Sequence, residues 1–247
     1  MHVSDCATPD DLEQLNKAFE LRQTALILDS IRRKILGWPE SYVVFDVETS
    51  GFSADKDVIV EFGYCVVRDR KPVVRQSYLL NWYEKDVPPA SYLDAQLDRL
   101  AKTMRDEGKS WRITPQKLKE EGKDPHKVLA FAKKLLESAN ASGMPIVAHN
   151  GLMFDLRMMR VACQDFLESE LNIEEDNIID TGAIEKASQC VGDVSMMPLQ
   201  TDSPSQFFRR VQSRRKTGLH WSLDRHCVPK YDFVRRFRLD PKNAHSA

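Results

Sequence analysis

The sequence predicts an α/β fold, a mixed five-stranded sheet flanked by helices and preceded by a helical extension. Two observations lead to it. Runs rich in β-branched and aromatic residues at 42–45, 58–67 and 73–82 follow one another across gaps that suit antiparallel neighbours. Two further apolar runs, 145–148 and 177–179, alternate with stretches of helical spacing. A meander that gives way to alternation argues for a mixed sheet covered by helices.

The elements can be justified in order. Thr8-Pro9-Asp10-Asp11 reads as a helix start, with Thr8 as cap, Pro9 at the first helical position and acids at the positive end. Leu12, Leu15, Phe19, Leu26, Ile27, Ile31 and Ile35 then recur at helical separations until Gly37-Trp38-Pro39 stops the pattern. This gives an extension over residues 1–40 and a main domain over 41–247. Within the domain, the polar stretch from Glu84 to Lys123 reads as an insertion with a helix around Ser91 to Arg105. A helix follows Pro125 and ends at Ser142-Gly143; others span Leu152 to Leu167 and Thr181 to Cys190. A second insertion is expected around Gly192 to Thr217.

Composition excludes several classes. With 42% hydrophobic and 30% charged residues the chain is too apolar to be disordered. No apolar run approaches the roughly 20 residues that span a bilayer, and Met1 to Asp11 lacks a secretory core, so an intracellular, cytoplasmic protein without membrane contact is expected. Five cysteines without paired spacing suggest neither a disulfide framework nor a zinc site; Cys65 and Cys163 read as buried small hydrophobes. Net charge is only −1, yet from Arg209 to Lys242 basic residues far outnumber acidic ones, either as a solvated face or as a surface for phosphates.

The chemistry concentrates in two segments. In Phe45-Asp46-Val47-Glu48-Thr49-Ser50-Gly51, Asp46 and Glu48 stand two apart on a strand and so share a face. Crowded carboxylates either take a proton or hold a cation, and hard ions such as Mg²⁺ favour such oxygens; an exposed strand edge would carry the same pair at no cost. In His149-Asn150-Gly151-Leu152-Met153-Phe154-Asp155, a strand runs into a helix that Asn150 can cap. Asp155 either serves the helix dipole or meets the strand acids across the sheet.

Val-Phe-Asp-Val-Glu-Thr-Ser-Gly, followed about a hundred residues on by Ala-His-Asn-Gly-Leu-Met-Phe-Asp, resembles the DnaQ-like family of DEDD exonucleases. Asp57 to Gly63 looks like that family's second strand, Ile113-Thr114 like the segment before its next helix, and Asp180-Thr181 like the end of its fifth strand. The resemblance implies a ribonuclease-H-like fold and a 3′-to-5′ exonuclease that releases nucleoside 5′-monophosphates, DNA somewhat favoured over RNA. It implies two Mg²⁺ or Mn²⁺ ions held by Asp46, Glu48, Asp155 and a fourth acid. It also implies contacts from Thr49, Phe52, Asn150 and Phe154 to the chain end, with the basic stretch tracking upstream phosphates. Phe52 and Phe154 could stack on bases, although Phe154 also fits a core position.

The family's third motif, His-x-Ala-x-x-Asp, is incomplete. His226 has tyrosine where the aspartate should stand, whereas His245-Ser246-Ala247 begins the motif and the aspartate would fall three residues past Ala247. The tyrosine form of the family finds no match, because Arg235 lies four residues after Tyr231. His245 is therefore the expected general base, in a chain that stops within its third motif and turns over weakly for want of a ligand. The alternatives are an exoribonuclease that trims RNA and a catalytically weak nucleic-acid-binding subunit. Single-stranded DNA or RNA 3′ ends are the expected partners, with a polymerase or another replication or repair protein docking on the N-terminal helix.

Overall fold

The computed structural model describes residues 39–108, 111–190, Met196, Leu199 and 202–214. The expected N-terminal helix, His226 and His245, and most of the basic stretch lie outside them.

Strands β1 (Tyr42–Thr49), β2 (Ile59–Arg68) and β3 (Lys71–Leu79) form the expected antiparallel meander. Two short strands, β4 (Ile146–Ala148) and β5 (Ile178–Asp180), add to the other side of β1 in parallel, giving the order β3-β2-β1-β4-β5. The mixed five-stranded sheet expected from the sequence is thus present. Its flanking helices among the described residues are α1 (Ala90–Asp106), α2 (Pro115–Glu121), α3 (Pro125–Ala141), α4 (Asp155–Leu167), α5 (Thr181–Ser188) and α6 (Pro204–Ser213).

Alternation decides which face of the sheet is covered. Val43, Phe45 and Val47 on β1 and Phe62 and Tyr64 on β2 point into the core. The Tyr64 ring meets Phe131 of α3 at 5.4 Å, and the α3 stripe of Val128, Leu129, Ala132 and Leu136 is buried. Helix α3 begins where the sequence places it, because Asp124 accepts from the amides of His126 and Lys127 ahead of a proline in the first turn.

Two stretches expected as insertions contribute side chains to the core. Leu93 and Leu97 of α1 are fully buried, and Trp82 nearby donates from Nε1 to the Ile59 carbonyl at 2.6 Å. Helix α6, inside the expected second insertion, buries Phe207, Phe208 and Val211. Its start was legible: Ser203 and Gln206 form a capping box around Pro204. Cys163 is buried as expected, and burial pushes its thiol up to about 11, too high to react; Cys65 is only half-buried. No helix among the described residues is long and apolar enough to cross a membrane.

Candidate active site

β1 runs four residues beyond its apolar start because its pairing with β2 continues to Glu48 opposite Glu61. Asp46 and Glu48 therefore lie within the strand, on its half-exposed face, between the buried Phe45, Val47 and Thr49. Asp46 stands opposite Gly63, which has no side chain to cover it. After Glu48 the register shifts, and Thr49 opposite Ile59 is the last pair of the ladder.

The loop that follows is organised by Asp57. Its carboxylate accepts from Ser50 Oγ at 3.1 Å, from the Ser53 amide at 2.9 Å and from Tyr92 Oη of α1 at 3.1 Å. Gly51 is required here, because a Cβ would come within 2.5 Å of Asp57 Oδ2.

Asp155 arrives from the far side of β1. β4 ends at Ala148, and Asn150, in the left-handed region at φ 64°, turns the chain so that its carbonyl accepts from the Met153 and Phe154 amides. Gly151 passes so close to Ala148 that an added Cβ would lie 2.3 Å from that residue's Cβ. The helix then starts at Asp155, three residues later than expected, and no side chain, Asn150 included, caps it.

Beyond the end of β4, the Val47 amide has no strand left to pair with. Asp155 Oδ1 accepts from it at 3.0 Å, placing this carboxylate at the backbone between Asp46 and Glu48. Asp155 is only 3% exposed. Burial first, and then the charge of Asp46, hold its pKa well above the usual carboxylate range; Asp180 adds to this and the Val47 amide opposes it. Such a carboxyl keeps a proton unless a cation takes the proton's place. That chemistry fits a divalent ion held by oxygen ligands. Among the described residues, however, no three His, Cys, Asp or Glu side chains stand gathered as a finished metal cluster.

The expected substrate-binding residues differ in setting. Phe52 is 81% exposed and its ring lies 6.1 Å from that of the half-buried Phe154. Thr49 is buried, its hydroxyl donating to the Gly51 carbonyl at 2.6 Å. Asn150 is half-buried in its turn. His245 lies outside the described residues. Of the basic stretch, Arg209 is held by Glu175 and Arg210 by Asp202, so both are already paired.

Sequence reasoning set Asp180 at the end of the fifth strand and gave it no role in the site. Asp180, fully buried at the end of β5, accepts through Oδ1 from the Asn150 amide at 3.0 Å, the Ala183 amide at 3.0 Å and Gln212 Nε2 at 3.1 Å. Its Oδ2 accepts from the Leu152 amide at 3.4 Å. Aspartate before Thr181 at a helix start is itself a cap signal; its hold on the 149–155 turn needed the fold.

No family model matches the sequence, and no curated protein matches it. Among solved structures the chain is similar to exonuclease I, at 15% identity and a TM-score of 0.43, over 63% of this chain and 31% of that one. It is similar to E. coli exonuclease I in complex with a dA16 oligonucleotide, at 15% identity and a TM-score of 0.43, over 63% and 30%. Similarity to the zinc-ion-bound form of the E. coli exonuclease I complex with single-stranded DNA is 11% in identity with a TM-score of 0.44, over 81% and 43%. This chain spans less than half the length of each of these proteins.

Proposed function

We propose that the chain is a metal-dependent 3′-to-5′ exonuclease acting on single-stranded nucleic acid, DNA somewhat favoured over RNA, and releasing nucleoside 5′-monophosphates. The observation that carries this reading is the buried Asp155 carboxylate docked on the backbone between Asp46 and Glu48. The order of the two sequence motifs supports it. Asp46, Glu48 and Asp155 would hold two Mg²⁺ or Mn²⁺ ions. Bound there, the ions would activate water and stabilise the leaving 3′ oxygen.

The chain's own residues do the rest. The Val47 amide fixes the orientation of Asp155, and Asp180 fixes the turn that delivers it. Phe52 and Phe154 offer aromatic faces for the terminal bases, which suits a site that tolerates any sequence. His245 remains the proposed proton acceptor.

Hydrolysis of a single-stranded oligonucleotide is expected with Mg²⁺ or Mn²⁺ and not with chelator, and Asp46→Asn is expected to lower the rate by about a hundredfold or more. Matched DNA and RNA oligonucleotides establish the preference. If Asp46→Asn digests substrate as fast as the parent, the reading fails. The absence of a finished cluster among the described residues favours a second reading, a binding subunit with little catalysis. It predicts tight binding with no dependence of turnover on Asp46.

Phe52→Ala separates binding from folding. So exposed a ring contributes little to stability, and a change within about 0.5 kcal/mol is expected. Binding of a single strand should weaken by about 1–3 kcal/mol if a base stacks there. Unchanged affinity in a fluorescence titration would remove Phe52 from the site.

A further inference from the structure

We infer that Arg112 binds a phosphate of the substrate strand, held in place for that task by Glu61. The inference rests on reading the Asp46, Glu48 and Asp155 site as one that takes nucleic acid. Glu61 lies directly opposite Glu48 in the antiparallel ladder, so both side chains are on the face that carries Asp46. It is 3% exposed, deep enough that its charge needs a partner. Arg112 supplies one, with an N–H of its guanidinium donating to Glu61 Oε2.

The pairing is not built as neutralisation alone. An arginine serving only to satisfy a buried carboxylate is best placed fork to fork, with both oxygens bound. Here Glu61 Oε1 has no hydrogen-bond partner among the described residues, and a single nitrogen of Arg112 makes the bond. The Arg112 side chain remains 31% exposed, and Glu61 is its one ion-pair partner among the described residues. Among the described residues its other N–H donors have no partner, so they can face a ligand.

The backbone beneath is firmly set. Ile113 is buried next to Arg112, and Thr114 caps α2 through the Lys117 amide at 3.2 Å. The result is a guanidinium on the face that carries the carboxylates, where it offers a phosphate a positive charge. A planar fork matches a phosphate better than a lysine would.

The test compares the 247-residue parent, Arg112→Met, and the double variant Glu61→Gln with Arg112→Met. Each is titrated in chelator with a fluorescein-labelled oligothymidylate of about a dozen residues, between about 50 and 200 mM salt. Arg112→Met is expected to weaken binding about tenfold and to reduce the slope of log affinity against log salt by about 0.7, the value of one phosphate contact on a single strand. The double variant removes both charges of the pair together and leaves no buried carboxylate without a partner, so it is expected to fold even if the single variant does not. It should bind as weakly as the single variant.

Parental affinity and slope in Arg112→Met, or their recovery in the double variant, would show that Arg112 serves only to neutralise Glu61 and would overturn the inference. A parent that neither binds nor hydrolyses the oligonucleotide overturns the reading of the site itself. The two failures are thus distinct.

Discussion

Asparagine in place of Asp155 is expected to lower metal-dependent hydrolysis by about a hundredfold or more while leaving the metal-free protein as stable as the parent, or more so. The amide keeps the oxygen that accepts from the Val47 N–H, so the geometry survives. It removes a buried carboxyl whose ionisation is opposed by burial and by the charge of Asp46. The pH dependence follows from the same cause. Because the folded-state pKa of Asp155 is raised, the folded protein holds this proton more tightly than the unfolded chain does. Its contribution to stability is therefore full below the unfolded value of about 3.9 and is lost as pH rises through the folded value. In chelator, parental stability should fall relative to Asp155→Asn from about pH 4 upward, read by urea unfolding across a pH series. Parallel curves for the two proteins would contradict this account of Asp155, and full activity in the variant would contradict its role in holding metal.

The second large effect is on folding. Asp180→Ala leaves three backbone amides and the Gln212 side chain without their acceptor, around a carboxylate that is itself fully buried. A cost of about 3–5 kcal/mol is expected, since each buried donor left unpaired costs about 1–3 kcal/mol and relaxation recovers part of it. Asp180→Asn should be milder, because three of the four donors reach Oδ1 and only the Leu152 amide would face the new NH₂ group. The loss should also appear in activity, since the same turn delivers Asn150, Phe154 and Asp155. Urea midpoints that rank parent, asparagine, alanine in descending order support this; an alanine variant as stable as the parent would mean that the turn is held by something else.

Some of this was open to sequence reasoning because it depends on near neighbours. Alternation along β1 put Asp46 and Glu48 on one face whatever the strand packs against, and the prolines, caps and apolar spacing of α3 marked its ends. Gaps between strands decided the meander. Where that reasoning missed buried residues, polarity was the cause. The 84–110 and 192–217 stretches are mostly hydrophilic, yet Leu93, Leu97, Phe207 and Phe208 are buried, since a helix needs only a narrow apolar stripe to join a core. Arg209 and Arg210 illustrate the opposite limit, for a count of basic residues does not reveal that carboxylates from elsewhere already hold them.

By itself, then, the sequence determined the two acids of β1, the type and order of most elements, and the segment that carries Asp155, because strand and helix periodicities are local properties of the chain. Only the tertiary structure decided that Asp155 would meet the Val47 amide 108 residues away, that Asp180 would hold the intervening turn, and that Glu61 and Arg112 would pair beside Glu48. Those contacts arise where strands end and leave backbone and charge unsatisfied, and which groups come to satisfy them depends on how the sheet and its helices are assembled.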